Sequence, residues 1–377
     1  MYARPKVPDL PNSDRKPSIL IVLQGDHHLE LYDAVFRYCL QFNWYCFLPK
    51  LPSDRKIESL NRQYGLRFFT DAAACLSHFG LFDAVITTWA VPHKKHLPYL
   101  NFISLAHELK IPVFELQHGL FQIGLTYEED AAVIGSRAGA AIASPDASNL
   151  VSSVLAWQGE HAIGYPRSPA FDNRVHQPPQ LGCERVVCVT NHHWGILSDE
   201  ERSACYGALS AAIKSFSSVE FVLMPHAGEL KSKIFTGMVE QLNSEKVQNF
   251  RVETKREDGL FEDLLCNSNL LIGSVSTTIL DCELSGTPTV VFFNRSQAAL
   301  LATFENVVTF STARELISMI DDAVYGSYRP QLVTGHLQAF RPAVLATKLK
   351  DAVGKVVRPS REDVAVALAR HLPALAL

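Results

Sequence analysis

Leu270-Leu271-Ile272-Gly273-Ser274-Val275-Ser276-Thr277-Thr278-Ile279-Leu280-Asp281 runs from an aliphatic block through a glycine into a row of hydroxyls, then into a second apolar pattern. The block predicts a buried strand over 270–272, and the pattern over 277–284 predicts a helix. Gly286-Thr287-Pro288 stops that helix before another apolar run at 289–293. The same alternation spreads outward. Strands are expected at 185–189, 219–224 and 249–253, with helices at 200–216, 230–242, 260–266 and 312–323. On the N-terminal side, strands are expected at 18–23, 44–48, 82–87, 111–116 and 138–143, and 161–164 closes the series. Helices are expected there at 31–42, 97–109 and 146–157. Short apolar strands separated by helices indicate α/β structure with largely parallel sheets covered on both faces.

Between the two series the pattern stops at Pro166, Pro169, Pro178 and Pro179, which marks a linker. The expected organisation is a loose tail 1–17, a first domain 18–165, a linker 166–182, a second domain 183–330 and a C-terminal helical closure 331–377. In that last segment helices are expected at 342–353 and 360–372, the second capped by Ser360 with Asp363 beside it. Two doubly wound domains imply a cleft, and ligands of open parallel sheets collect beyond the carboxyl ends of strands.

The residues with chemistry fall in those loops. Ser274, Ser276, Thr277 and Thr278 open the 277–284 helix, with Ser274 or Ser276 as its expected N-cap; first-turn N–H groups there can cradle a phosphate or diphosphate. Asp281 lies on the same helical face as Thr277, placed to hold a ribose or donor hydroxyl or to orient Thr277. Met224-Pro225-His226-Ala227-Gly228 ends a strand and displays His226 at the start of the next helical segment, where an imidazole can donate to a phosphate. Arg256-Glu257-Asp258-Gly259 offers carboxylates to a nucleotide. In the first domain, Gln117-His118-Gly119 follows an apolar strand. A partly solvated His118 there suits proton removal from an acceptor hydroxyl, and Gly119 lets the backbone approach a ligand. Gln24, His27 and Arg167 complete the acceptor or cleft candidates. No metal site is expected, because His192-His193 has no cysteine or carboxylate partner at ligand spacing.

Composition excludes several classes. The 377 residues are 47% hydrophobic with a formal net charge of -4, so no general attraction to nucleic acid is expected. There is no G-x-G-x-x-G and no P-loop, which argues against a dinucleotide oxidoreductase or a P-loop NTPase. The eight cysteines are scattered without a CxxC and are expected as buried thiols in a reducing compartment. No apolar run reaches membrane-spanning length. A cytoplasmic location follows by elimination, and the terminal helix leaves peripheral contact with the inner face of a membrane open.

Gln117-His118-Gly119, Gly164-Tyr165-Pro166-Arg167, Pro225-His226, Glu257-Asp258-Gly259 and Ser274 through Pro288 occur in an order that resembles the GT-B transferases. The likeness is to CDP-glycerol glycerophosphotransferases and to bacterial capsule polysaccharide transferases of the polysialyltransferase-like and Kdo-transferase-like groups. It implies a GT-B architecture with two Rossmann-like domains facing a central cleft, an acceptor site in the first domain and a donor site in the second. By the same resemblance His118 is the acceptor-activating base and His226 the donor-phosphate histidine. Ser276 and Thr277 take the place of paired hydroxyls, and Asp258-Gly259 that of an acidic-glycine motif. Two departures, Gln117 where tryptophan is common and Leu120-Phe121-Gln122 where threonine-proline follows, weaken glycerol phosphate as the transferred group.

The expected activity is inverting glycosyl transfer from a nucleotide-activated donor (CMP-, CDP- or UDP-linked) to a surface polysaccharide or related glycan acceptor. No tightly bound cofactor is expected. Expected partners are the nucleotide-sugar, a glycan or lipid-linked acceptor and a polysaccharide-synthesis complex, without specific nucleic acid. The alternatives are a CDP-glycerol-type polyol-phosphate transferase, a nucleotide-sugar epimerase and a non-catalytic glycan- or nucleotide-binding subunit.

Overall fold

A computed structural model of the chain describes residues 15–23, 25, 28–51, 53–88, 97–117, 152–157, 162–166, 176–192, 197–254, 259–293, 307–326 and 340–375. The first sheet contains β1 (Ser18–Val22), β2 (Asn43–Phe47), β3 (Arg67–Phe69), β4 (Ala84–Thr87), β5 (Val113–Leu116) and β6 (Ser153–Leu155). The second contains β7 (Arg185–Thr190), β8 (Glu220–Pro225), β9 (Phe250–Val252), β10 (Leu270–Gly273), β11 (Thr289–Phe292) and β12 (Thr309–Phe310). Their orders are β3-β2-β1-β4-β5-β6 and β12-β11-β10-β7-β8-β9, with every pairing parallel. Counted from its own first strand, each sheet runs 3-2-1-4-5-6, the doubly wound dinucleotide-fold order. The chain therefore forms two Rossmann-like α/β domains, consistent with a GT-B-type architecture.

Parallel strands buried on both faces need helices on both. In the first domain α1 (His28–Tyr38) and α2 (Asp54–Tyr64) cover one face, and α3 (Ala72–Ser77) and α4 (Leu97–Glu108) the other. The far end of the chain finishes both. α10 (Pro342–Val353) adds Leu345 and Leu349 to the α1 side, while α11 (Arg361–Leu375) adds Val364 and Ala367 to the α4 side. Arg358, just before α11, donates from Nε to Oδ1 of buried Asp83 at 2.6 Å; Asp83 Oδ2 also accepts from the Ser18 amide at 2.7 Å. The second domain is continuous. α5 (Asp199–Ser215), α6 (Lys233–Ser244) and α9 (Ala313–Tyr325) pack on one face, with α7 (Leu260–Cys266) and α8 (Thr278–Ser285) beside the other. Capping boxes Ser198/Glu201 and Thr312/Glu315 start α5 and α9, and Ser360 Oγ accepts from the Asp363 amide at 3.1 Å to start α11.

Several expectations need correction. Of the helix expected over 146–157, residues 146–151 lie outside the described residues, and Ser153–Leu155 form the edge strand β6 instead, because they pair with Phe114 to Leu116. The strand expected at 138–143 lies outside the described residues. α1 ends at Tyr38 rather than at Phe42, since the chain turns so that Trp44 Nε1 donates to Cys39 O at 3.1 Å. The segment 162–164 is not a strand. α2, β3 and α3 had no expectation at all: α2 is largely polar and β3 spans three residues. Seven cysteines are buried as expected, but Cys183 is exposed. No helix among the described residues is long and apolar enough to cross a membrane.

Candidate functional site

The order of the second sheet reverses between β7 and β10, and the residues leaving those strands form the candidate site. The amide of Ser274, just past β10, donates to Val189 O at 3.3 Å; the amide of His226, just past β8, donates to Thr190 O at 2.9 Å. Consecutive carbonyls at the end of β7 thus hold the first residue of each flanking turn. β8 and β10 stand two strand spacings apart, about 10 Å, with the end of β7 between them.

Ser274 is fully buried, 0% exposed, and its Oγ has no hydrogen-bond partner. A buried unpaired hydroxyl costs about 1–3 kcal/mol. Beyond it the chain enters α8 through a tight turn: Ile279 N donates to Ser276 O at 3.2 Å and Leu280 N to Thr277 O at 2.9 Å. The N-cap position is Thr277, not Ser274 or Ser276: the helix begins at Thr278, and Thr277 before it has helical backbone angles and makes no side-chain cap bond. The Ser276 hydroxyl contacts the Thr278 hydroxyl, and no side chain caps this helix end. Hydroxyls and an uncapped N-terminus suit an anion. Asp281 in the first turn opposes it electrostatically, since that carboxylate already complements the helix dipole.

The turn after β8 is also built differently from the expectation. Pro225 is the last paired residue of β8, in register with Thr190. His226 then opens a tight turn and the 3-10 segment Glu229–Lys231, so α6 starts only at Lys233. His226 therefore does not stand at an α-helix N-terminus. Its carbonyl accepts from Glu229 N at 2.8 Å, and its Nδ1 accepts from Gly228 N at 3.2 Å. An accepting Nδ1 leaves the proton of the neutral ring on Nε2, which is the donor form a phosphate oxygen requires.

Below these turns lies a buried polar cluster that sequence reasoning missed. Glu229 is 0% exposed and accepts from the Tyr206 hydroxyl, which also lies 3.2 Å from Thr190 Oγ1. His192 packs edge-on against Tyr206 and Phe292, with Nε2 3.4 Å from Cys205 Sγ. It is a core histidine in this setting. Burial pushes the Glu229 carboxyl above the ordinary glutamate range; the Tyr206 hydrogen bond, the Arg202 charge and the His192 backbone amide pull the other way. Burial, then the hydrogen bond and charge of Glu229, push the Tyr206 phenol up. The only sequence signal was an acidic residue close after His226, and many solvated turns share it.

Of the remaining candidates, Gly259 sits at the N-terminus of α7 with φ 84°, a left-handed conformation that favours glycine. Gln117 faces the chain itself: its Oε1 accepts from Trp157 N at 2.8 Å, which makes it a brace between the ends of β5 and β6. Gln24, His27, His118, Gly119, Arg167 and Asp258 lie outside the described residues. No cluster of metal-ligating side chains occurs among the described residues.

No protein-family model and no curated protein matches the sequence. Solved structures do match in fold over nearly the whole chain. The UDP-GlcNAc 2-epimerase of Neisseria meningitidis, bound to UDP-GlcNAc, aligns with a TM-score of 0.56 and 10% identity, covering 89% of this chain and 100% of its own. MnaA of S. aureus, solved with UDP, aligns at 0.58 with 8% identity over 91% and 99%. Anabaena HepE, in complex with UDP and glucose, aligns at 0.51 with 14% identity over 95% and 100%. What these structures share with the chain is the fold, two Rossmann-like α/β domains.

Proposed function

We propose that the protein acts on a nucleotide-activated sugar and holds its phosphates at the carboxyl end of the second sheet. The observation that carries this reading is Ser274, a fully buried hydroxyl without a partner where the strand order reverses, beside a helix end that no side chain caps. Ser276, Thr277 and Thr278 supply further hydroxyls, and His226 supplies an Nε2 donor. Asp258, Gly259 and Asp281 are the candidates for the ribose or the sugar hydroxyls.

Epimerisation of the nucleotide-sugar is the first reading of the reaction, because UDP-GlcNAc 2-epimerases are among the proteins alike over almost the whole chain. Fold alone does not define chemistry. Acceptor-directed glycosyl transfer is the second reading, motivated by Gln117-His118-Gly119 with His118 as base. The resemblance to CDP-glycerol and capsule transferases, a glycan or lipid-linked acceptor, a polysaccharide-synthesis complex and contact with a membrane surface all belong to that second reading.

Calorimetric titration with UDP, CDP, CMP and GDP tests the binding half. One nucleotide should bind well, and replacing Ser276 and Thr277 together by alanine should weaken it about tenfold, as the loss of charge-assisted hydrogen bonds predicts. Equal dissociation constants for wild type and double mutant would remove this turn from the site. Proton NMR of the corresponding nucleotide-sugar, incubated with the protein alone, then separates the chemistries. A second sugar epimer without acceptor supports epimerisation. A donor that stays intact until a glycan is added supports transfer.

A further inference from the structure

We infer that Glu229 is a positioning residue for His226: its buried carboxyl ties the turn that carries His226 to Tyr206 on α5 and through it to the end of β7, and so fixes the imidazole as an Nε2 donor. This rests on the reading that His226 contacts the nucleotide. Of the turn residues 226–229, only Glu229 is buried. Its backbone amide closes the turn on His226 O at 2.8 Å. Its side chain runs under the turn to accept from Tyr206 on α5, whose hydroxyl lies 3.2 Å from Thr190 Oγ1 at the end of β7. One residue therefore joins the His226 turn to α5 and, through Tyr206, to the end of β7. The geometry of His226 depends on that tie, because Nδ1 takes its hydrogen bond from Gly228 N within the same turn. If the turn relaxes, Nδ1 loses its donor and the ring is free to carry its proton there instead.

A carboxyl is a costly anchor for a turn. Glu229 Oε1 has no hydrogen-bond partner, and a buried polar group left half-satisfied is less stable than a well-packed apolar one. Leucine would hold the turn by burial alone. What leucine lacks is the acceptor that joins the turn to Tyr206 and through it to Thr190. The groups facing the carboxyl are Tyr206, Cys205 and Arg202 on α5 and His192 after β7, with His226 in its own turn.

The experiment compares Glu229→Leu, Glu229→Gln and Tyr206→Phe with wild type in the full chain. It reads UDP affinity by calorimetry and the His226 ring by long-range ¹H–¹⁵N NMR, assigned with His226→Ala. Wild type should show a neutral ring protonated on Nε2. Glu229→Leu should keep the melting temperature, mix the two tautomers and weaken UDP about tenfold, the equivalent of roughly one good hydrogen bond. Glu229→Gln should restore most of both signals, because its amide oxygen still accepts from Tyr206. An unchanged His226 ring in Glu229→Leu overturns the inference. Should that variant fail to fold, an unchanged ring in Tyr206→Phe does so. Should His226→Ala bind UDP as wild type does while Glu229→Leu still disturbs the ring, the positioning stands and the nucleotide-contact reading of His226 falls.

Discussion

Gln117 leaves β5 in the first domain, and Ser274 leaves β10 in the second; both are buried and polar. The chain answers the first, whose side-chain oxygen accepts from Trp157 N at 2.8 Å. It leaves the second without a hydrogen-bond partner. The residue leaving the fifth strand of one sheet and the residue leaving the fourth strand of the other are thus treated in opposite ways. Asp83 extends the contrast, since at the opposite, amino end of the first sheet's strands it takes hydrogen bonds from Ser18 N and from Arg358. The first domain is not free of loose ends: Tyr32 Oη and Trp157 Nε1 also lack partners. But its named braces reach across sequence, from Gln117 to Trp157 and from Asp83 to Arg358. A polar side chain bonded on the protein side is structural. One left open at a strand-order reversal is a candidate for a ligand.

Asp83→Ala should have the largest effect. It strands the buried Ser18 amide and removes the carboxylate partner of a guanidinium that is itself 29% exposed. Because that guanidinium can rehydrate, the loss should fall near the low end for a broken buried pair, about 3 kcal/mol. Hydrogen exchange should accelerate in β1, β4 and α11 while the second domain keeps its protection. Equal acceleration in both domains would show that Arg358 and Asp83 do not brace the first domain in particular.

Gln117→Ala should cost less, about 1–2 kcal/mol, because it leaves the Trp157 amide buried without its acceptor. The measure is chemical denaturation of the full chain, with exchange at the β5 and β6 amides as the local readout. A stability equal to wild type combined with weaker ligand binding would turn Gln117 from a brace into a contact residue and erase half of the contrast.

Sequence revealed the sheet strands far better than their surroundings. Runs such as Ser18-Ile19-Leu20-Ile21-Val22 and Arg185-Val186-Val187-Cys188-Val189 announce inner strands because both faces are buried and few other structures accept so many β-branched residues. Edge elements carry less signal. β3 is Arg67-Phe68-Phe69, and β6 becomes a strand only because β5 offers it a partner. The hydroxyl row at Ser274–Thr278 was legible as a helix start, but which hydroxyl would cap was not. The helix begins at Thr278, so the cap position falls to Thr277, whose side chain makes no cap bond, a property of how β10 delivers the chain. Glu229 was invisible for a related reason: its burial follows from the 3-10 turn that swings it beneath His226, and nothing in Ala227-Gly228-Glu229-Leu230 marks that rotation.

The smallest stability effect, with the most diagnostic sign, belongs to Ser274→Ala. Serine-to-alanine changes at bonded buried hydroxyls lose stability, because a partner is left unsatisfied. At Ser274 there is no partner to strand, so the substitution removes only the desolvation cost of the hydroxyl. The free protein should become more stable by about 1 kcal/mol. The backbone bond from Ser274 N to Val189 O at 3.3 Å survives, so the turn itself should keep its path. Nucleotide affinity should move the other way and fall about tenfold, as loss of one hydrogen bond to a charged group predicts. Thermal denaturation without and with saturating nucleotide measures both numbers on one sample, since a ligand that binds only the native state raises the melting temperature with its affinity. A stability gain with unchanged affinity would make Ser274 an idle polar group in the core. A stability loss would mean that the hydroxyl is engaged in the free protein, and the opposition between Gln117 and Ser274 would disappear.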